Sequence, residues 1–379
     1  MNALLSRARI PAGARAPVIA LLAGIVLFVA SELLSEYNNL QLATGCYYFA
    51  ALAGLTLLTG LSGQISLGHG ALMAVGAYTA ALLIGNEHWP LLGAVLAATV
   101  MAALVGLVLG AAATRLRGPY LAGATLAFAV GLPALADKYP GTFGGENGLT
   151  IEPPTPPAFL GREFPLERWE AWIAGIGAVV VLLLAENLRR SGMGRAFRAI
   201  RDDEIAASLC GYSVARVQLT AFVFSAACAG LGGALLAVVL QLAAPGAFQL
   251  QLSLSLLTAI VVGGLGSLAG AVWGAAFLVL LPGWSNDIAN SFSLSTKVSS
   301  NLPLAIYGVV LIVVMLVWPT GIQGGARAAI SRLRRARGRP GTGPGTPRKR
   351  ELAGAASGPV SPASGGEAAL TNQRGDPER

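Results

Sequence analysis

Charged residues are scarce in this chain of 379 residues, because they make up only 12% of it, whereas hydrophobic residues make up 54%. Soluble domains carry about 25% charged residues, so the chain has too little polar surface for a water-facing globule. The mean hydropathy of +0.65 points the same way. The composition therefore predicts a protein whose solvent is the lipid bilayer.

Cysteine and histidine are also rare. The three cysteines (Cys46, Cys210 and Cys228) lie far apart and form no C-x-x-C motif, which argues against a disulfide framework or a structural zinc site. The two histidines, His69 and His88, are too few for a histidine-built metal site. We therefore expect no metal site.

Lysine occurs three times, and no lysine follows a glycine and precedes Ser or Thr. The chain therefore lacks a P-loop and does not hydrolyse ATP through that motif. The stretch 264–269 superficially matches a dinucleotide fingerprint, but it follows a membrane-length apolar run instead of a strand. No catalytic constellation remains, so the sequence predicts a chain that is not an enzyme and binds no cofactor of its own.

The net charge of +8 is concentrated at one end of the chain. Residues 327–379 hold 11 Lys/Arg and 4 Asp/Glu, which leaves the rest nearly neutral. This segment is rich in Arg, Gly, Pro, Ser and Ala, and it has too few large apolar residues to offset its ordering entropy. We expect a cytoplasmic N-terminus at 1–16, a transmembrane domain at 17–326 and a disordered basic cytoplasmic tail at 327–379.

Apolar runs of membrane-spanning length, roughly 20 residues, recur along the transmembrane domain. They lie at 17–35, 42–60, 69–85, 90–114, 118–136, 169–186, 217–241 and 303–319. The apolar stretch 251–282 is interrupted by glycines at 263–266, and it predicts two short helices or a re-entrant hairpin. The fold class is therefore an all-α polytopic membrane protein with about 8–10 transmembrane or re-entrant helices.

Positive charges orient these segments, because short cytoplasmic loops retain Lys and Arg. This rule places the N-terminus, Arg115, Arg117, the 187–216 loop and the tail inside. It places 36–41, 86–89, the 137–168 loop, 242–250 and 283–302 outside. Both termini are therefore expected to be cytoplasmic, and the four prolines at 153–157 predict an extended segment within the external loop.

Two glycine-rich interruptions share a pattern. The first glycine segment (residues 60–70, GLSGQISLGHG) and the second glycine segment (residues 263–270, GGLGSLAG) each join two apolar runs. Broken segments in both halves of a transporter point to a translocation path; glycines that only permit tight helix crossings are the alternative. The candidate path residues are Gln64, Ser66, His69, Gly264, Gly266 and Ser267. For His69, a packed structural role is the alternative.

The 187–216 loop contains a predicted amphipathic helix. Ile205, Leu209 and Tyr212 follow the spacing of one helical face, Asp202 and Asp203 are cap candidates, and Gly211 can end the helix. Such a helix without a domain of its own is typical of a docking element for a cytoplasmic partner. A helix lying on the membrane surface is the alternative.

Three long stretches of the sequence resemble permeases of branched-chain amino-acid ABC importers. They are 60–83 (GLSGQISLGHGALMAVGAYTAALL), 117–149 (RGPYLAGATLAFAVGLPALADKYPGTFGGENGL) and 194–281. The motif TFGGENGL at 142–149 is more similar to the LivM-type subunit than to its LivH-type partner. Permeases of urea and short-amide importers are also similar.

The resemblance implies a function and a set of partners. The chain would be the inner-membrane permease subunit of an importer for branched-chain or other small apolar amino acids, paired with a second, LivH-like permease, two ATPase subunits that bind ATP, and an external solute-binding protein. A stand-alone secondary carrier is the alternative.

In ABC importers a loop of the type Glu-Ala-Ala-x-x-x-Gly docks on the ATPase. Here Ala206, Ala207 and Gly211 keep that spacing, while the acid, Glu204, comes one place early. The expected coupling residues also include Arg198, Arg201 and Asp203.

Overall fold

The computed structural model describes residues 15–115, 119–157, 161 and 164–291, together with residues 302, 305, 306, 308, 309, 312, 313, 316 and 321–325. All of them belong to the first of two compact units, Met1–Arg332. The second unit, Leu333–Arg379, lies outside the described residues, as do most of the expected N-terminus at 1–16 and the expected tail at 327–379.

Twelve α-helices have complete bounds in the described part of the chain. They are α1 (Arg15–Leu33), α2 (Glu36–Leu55), α3 (His69–Gly85), α4 (Leu91–Ala113), α5 (Pro119–Lys138), α6 (Pro140–Phe143), α7 (Leu166–Arg190), α8 (Gly192–Asp202), α9 (Glu204–Leu209), α10 (Val214–Leu240), α11 (Leu250–Gly263) and α12 (Leu268–Ser291). A π-helical turn, Thr56–Leu61, extends α2. Two short strands, β1 (Leu149–Thr150) and β2 (Leu242–Ala243), pair with each other.

Seven of the described helical segments are long and apolar enough to cross a membrane, and two shorter apolar helices accompany them. The seven are Ala16–Leu33, Glu36–Leu61, Leu91–Ala112, Tyr120–Lys138, Leu166–Arg190, Val214–Leu240 and Pro245–Gly263, and the shorter two are His69–Gly85 and Leu268–Trp284. The predicted all-α polytopic membrane fold is confirmed. Every described position between 302 and 325 is also helical, where the sequence predicts a span at 303–319.

The predicted start of the second span at residue 42 is wrong, because α2 begins at Glu36. The side chain of Asn39 is buried and donates hydrogen bonds to the carbonyls of Ser31 and Leu34, at 3.1 and 3.3 Å. These bonds satisfy carbonyl groups that the end of α1 leaves without helical partners. A polar residue can therefore start α2 directly after the turn, although hydropathy alone places 36–41 in a loop.

The apolar stretch 251–282 forms two helices, α11 and α12, joined by the turn 264–267. The glycines therefore break the stretch into two helices as predicted, but α12 is not short. It has 24 residues and continues through Pro282 to Ser291. Part of the region expected to be an external loop at 283–302 is therefore helical.

Helix α10 packs against α2, α3, α4 and α7 and forms the centre of the described bundle. Small residues allow these helices to approach closely. A Cβ atom added to Gly76 of α3 would meet the carbonyl of Gly230 in α10, and one added to Gly230 would meet Ala102 of α4. Glycine and alanine therefore set the spacing of the core.

The strand pair joins two connections that the charge pattern assigns to one side of the membrane. Leu149 pairs with Ala243 and Thr150 with Leu242, and the Ile151 amide donates to the Gln241 carbonyl at 2.9 Å. The expected external loop 137–168 is shorter than predicted, because α5 runs to Lys138 and α7 begins at Leu166. Residues 151–157, which contain the four prolines, form neither helix nor strand.

Candidate translocation and coupling site

The first glycine segment leaves the helical conformation in the interior of the bundle. The π-helical turn ends at Leu61, and residues 63–68 are non-helical until α3 begins at His69. Gly63 has a φ of +75°, which favours glycine. Helix α3 has 17 residues and rises about 25 Å, less than the hydrocarbon thickness of about 30 Å. The segment 63–68 therefore adds non-helical chain to this crossing.

His69 lies at the centre of a group of hydroxyl side chains. Its Nδ1 lies 3.2 Å from Ser66 Oγ, and its Nε2 lies 2.7 Å from Ser225 Oγ on α10. The His69 residue is 1% exposed and Ser225 is fully buried. Because both ring nitrogens have hydroxyl partners, the imidazole is held in one orientation.

Two further helices, α5 and α11, bind the backbone around this histidine, and α10 also binds the side chain of Gln64. The Leu67 amide donates to Thr125 Oγ1 of α5 at 3.0 Å, and the Gly70 amide donates to Ser253 Oγ of α11 at 3.0 Å. Gln64 Nε2 donates to Ser62 Oγ at 2.7 Å and to the Gln218 carbonyl of α10 at 3.1 Å. These contacts satisfy backbone groups that the broken helix frees, as membrane interiors require.

The second glycine segment contacts the first. Gly264 and Gly266 have φ values of +116° and +75°, so the chain reverses between α11 and α12 within the turn 264–267. A Cβ atom added to Gly60 would meet the amide nitrogen of Gly266. The structure thus places Gln64, Ser66 and His69 in one cluster and Gly264, Gly266 and Ser267 in an adjoining turn. Gln64, Ser66, His69 and Ser267 are all less than 10% exposed, so the cluster is closed to solvent in this conformation.

A large cavity of the described bundle lies elsewhere, between α1, α2, α7 and α12. It has a volume of about 640 Å³, and its lining is apolar except for Asn38 and Gln41. An amino acid carries an ammonium and a carboxylate group, which such a lining leaves without enough polar partners. None of the candidate path residues lines this cavity.

The expected coupling loop contains two helices instead of one. The spans extend farther than predicted, so the connection shrinks from 187–216 to 191–213. Asp203 separates α8 from α9 because its Oδ1 accepts hydrogen bonds from the amides of Ile205 and Ala206, at 2.9 and 3.0 Å. Asp202, the other cap candidate, instead accepts hydrogen bonds from Arg201. Gly211 follows α9 with a φ of +88°.

The two helices have opposite exposure patterns. Helix α8 buries Phe197 and Ile200 against the bundle, whereas α9 leaves its predicted apolar face open. In that face Ile205 is 74% exposed and Leu209 84%, whereas Tyr212, which was expected on the same helical face, lies beyond the end of α9 and is 40% exposed. Of the two alanines expected to allow a partner's approach, Ala206 is exposed but Ala207 is buried within the chain itself. Arg198 is half-buried and Gly211 is exposed.

Polar contacts attach this connection to the first glycine segment. Arg201 Nη1 donates to the Gly60 carbonyl at 2.8 Å. Gln218 Nε2 donates to Glu204 Oε1 at 2.8 Å, and the Gln218 carbonyl is the one that Gln64 binds. The structure therefore brings together the predicted coupling residues Arg201 and Glu204 and the predicted path residue Gln64.

Several polar residues of the site and its surroundings were missed by sequence reasoning. Ser225, Thr125 and Ser253 lie inside apolar spans, where single hydroxyls give no signal of their tertiary contacts. Glu170 is 2% exposed and accepts a hydrogen bond from Gln241. Glu186 is 4% exposed and forms ion pairs with Arg189 and Arg190. The spacings i, i+3 and i, i+4 were the available sequence signal for these two ion pairs.

Metal binding has no support among the described residues, where no three His, Cys, Asp or Glu side chains are grouped for it.

Comparisons with known proteins agree with this architecture. Residues 36–317 match the family model described as "Branched-chain amino acid transport system / permease component". The chain is 33% identical over 330 residues to the high-affinity branched-chain amino acid transport system permease protein LivM of Escherichia coli strain K12, covering 80% of this chain and 74% of that protein. It is 29% identical over 305 residues to LivH of Salmonella typhimurium, covering 76% and 94% respectively.

The permease BraD of Pseudomonas aeruginosa is 26% identical over 308 residues, which covers 76% of this chain. No solved structure matches the chain. The expected likeness to the LivM-type subunit is confirmed, and a permease component is a transport subunit and not an enzyme. The chain therefore belongs to the family of permease components of branched-chain amino acid transport systems.

Proposed function

We propose that this multi-pass membrane protein is the permease subunit of an ABC importer that carries branched-chain or other small apolar amino acids across the bacterial inner membrane. The observation that carries the proposal is the exposed apolar face of α9, which lies on a connection hydrogen-bonded to the buried first glycine segment. A docking surface and a broken-helix segment are thus joined in one chain.

The energy source lies in other subunits under this proposal. The sequence contains no P-loop, so two separate ATPase subunits bind and hydrolyse ATP. Ile205, Leu209 and Tyr212 would enter an apolar groove of an ATPase subunit, as amphipathic helices do. Under this proposal α8 and α9 lie in the cytoplasm, which agrees with the arginines of the connection.

The remaining partners follow from the relatives. Relatives named LivM and LivH exist for the same kind of transport system, which supports a second, LivH-like permease beside this chain. An external solute-binding protein would deliver the substrate at the end of the bundle that carries β1 and β2. The substrate class rests on the relatives' names, which specify branched-chain amino acids.

The path is proposed to run along the two glycine segments. Gln64, Ser66 and His69 supply uncharged donors and acceptors, and Gly264, Gly266 and Ser267 adjoin them where small residues let two backbones meet. In this closed conformation the polar groups are satisfied by one another. Rocking of the helices by the ATPase pair would open the cluster alternately to each side.

Purification through a tag on this chain tests the proposal. We expect an ATPase and a second permease to co-purify, and proteoliposomes of the complex, supplied with its external solute-binding protein, to accumulate radiolabelled leucine only with ATP. Recovery of this chain alone, with leucine uptake that persists after ATP depletion, would instead show a secondary carrier. Accumulation of urea or short amides without leucine would overturn the substrate class and leave the permease role intact.

Leu209→Arg tests the docking surface. Leu209 is 84% exposed, so the substitution removes no buried contact, while a charge in an apolar interface costs a few kcal/mol. We expect co-purification of the ATPase to fall at least about tenfold, since about 1.4 kcal/mol corresponds to a factor of ten. Asn86→Arg adds the same charge at an exposed position after α3 and serves as the control. Equal ATPase recovery from both variants would contradict docking through α9.

A further inference from the structure

The side chain of Arg201 has two acceptors on different parts of the chain. Its Nε and Nη2 donate to Asp202 Oδ1 at 3.0 and 2.7 Å, and its Nη1 donates to the Gly60 carbonyl at 2.8 Å. Arginine presents its donors in a rigid fork. Because Asp202 binds Nε and Nη2 of the guanidinium group, the remaining nitrogen, Nη1, points at the first glycine segment.

The Gly60 carbonyl is an acceptor that the broken helix leaves available. The last carbonyls of a helix have no intrahelical partner, and a cationic side chain near them is favourable. Here the cation comes from α8, 141 residues farther along the chain. Arg201 therefore caps the end of the π-helical turn with a side chain from another helix.

The stem of Arg201 also packs on the backbone of this segment. A Cβ atom added to Gly63 would lie 2.9 Å from Arg201 Cγ. Phe197 and Ile200 of the same helix are buried, so α8 has packing contacts beside this one. We therefore expect a displacement of the end of α8 to move the backbone at 60–63 through Arg201.

A second attachment runs from the start of α9. Glu204 accepts a hydrogen bond from the Gln218 side chain, and the Gln218 carbonyl accepts one from Gln64. The two attachments lie on either side of Asp203, the residue that separates α8 from α9. Gly60, in the π-helical turn, and Gln64, in the non-helical segment 63–68, are each held by one of them.

We propose that Arg201 and Gln218 are positioning residues that transmit movement of α8 and α9 to the first glycine segment. Movement at Gly60 passes to Gly266, which its backbone touches, and movement at Gln64 passes along residues 65–68 to His69. The inference rests on the proposed function, because the movement is supplied by the ATPase that docks on α9.

The test uses the whole complex, purified through this chain, reconstituted in liposomes and supplied with the external solute-binding protein. ATP hydrolysis and radiolabelled leucine accumulation are measured in the same sample, and the ratio of leucine to ATP is the readout. We expect Arg201→Ala to keep hydrolysing ATP while this ratio falls about tenfold, within the range known for coupling residues. Arg201→Lys keeps a cation but loses the fork, and the expected fall is about threefold.

The second attachment has its own pair of variants. Glu204→Ala removes the acceptor for Gln218 and should lower the ratio about threefold. Glu204→Gln keeps an acceptor oxygen at the same place and should restore most of the ratio. A residue with a merely structural role would change yield or thermal stability and leave the ratio alone.

Arg195→Ala is the matched control, because Arg195 is an exposed arginine on the same helix. The ratio of leucine to ATP in this variant should equal that of the unmodified complex.

A normal ratio in Arg201→Ala would overturn the inference. Loss of the ATPase from the Arg201→Ala complex would also overturn it, since Arg201 would then act in docking. If Arg201→Ala does not reach the membrane, the Arg201→Lys ratio decides. Failure of the unmodified complex to accumulate leucine with ATP would refute the proposed function itself.

Discussion

The first glycine segment runs through six non-helical residues, 63–68, before α3 begins, whereas the second turns within four residues, 264–267, between α11 and α12. Side chains from α5, α10, α11 and α8 bind the first. The second is built by glycines with positive φ and by close backbone contact. Similar residue types therefore form two different structures. The first segment leaves backbone groups free to bind polar partners, and the second allows a tight turn and a close backbone contact.

Glycine substitutions should separate the two devices most strongly. Gly60→Ala places a methyl group against the Gly266 backbone, and since overpacking costs up to about 3 kcal/mol, we expect a loss of that size. In Gly266→Ala the nearest atom is 3.3 Å away, and the strain at positive φ costs about 1–2 kcal/mol. The measurement is the thermal midpoint of each purified variant in detergent.

Two controls accompany this pair. Gly246→Ala has open space around its new methyl group and should change little. Gly266→Asn should be milder than Gly266→Ala, because asparagine tolerates the left-handed region. Equal destabilisation by Gly60→Ala and Gly266→Ala would mean that the two segments are held in the same way.

Ser225→Ala should have an intermediate effect. It leaves His69 Nε2 without its hydroxyl partner at a buried site, which costs about 1–3 kcal/mol. We expect a lower thermal midpoint together with reduced leucine uptake. Ser208→Ala, which removes an exposed hydroxyl on α9, should stay within about 0.5 kcal/mol. A neutral Ser225→Ala would show that His69 needs only one partner.

The smallest effect is expected from a pair of Thr→Val substitutions. Thr125→Val removes the acceptor of the Leu67 amide in the first segment and should cost about 1 kcal/mol. Thr258→Val removes a hydroxyl of α11 that bonds only within its own helix and should be nearly neutral. Hydrogen exchange at Leu67 would rise in the first variant only. Similar stability losses in both would argue that the hydroxyl of Thr125 is not special.

Sequence reasoning located the parts of this site better than their connections. The glycine pattern marked Gln64, Ser66 and His69, and the amphipathic spacing marked Ile205 and Leu209. Both signals can be read within a few neighbouring residues of the sequence. The partners Ser225, Thr125 and Ser253 were not predicted, since a lone hydroxyl within an apolar span can equally bond to its own helix. Arg201 was assigned to the coupling loop without its contact to Gly60, which is 141 residues away in sequence.

Boundary errors have a related cause. Hydropathy ended the external segment at residue 41, but Asn39 binds carbonyls at the end of α1 and allows α2 to begin at Glu36. The predicted docking helix is α9, and Asp203, one of the two expected cap residues, caps it with its side chain. The second helix of this connection, α8, was not predicted. At Asn39 two side-chain hydrogen bonds decided the boundary, and average polarity could not show them.

By itself, the sequence determined that this chain is a membrane protein, because it has too few charged residues to cover a surface in water. It also marked where helices break and which connection carries an apolar face. Only the tertiary structure decided which breaks meet, how His69 is held and how α8 reaches Gly60. The physical reason is range: burial and periodicity act over a few residues, whereas the hydrogen bonds that join α8, α10 and the first glycine segment exist only once distant helices pack.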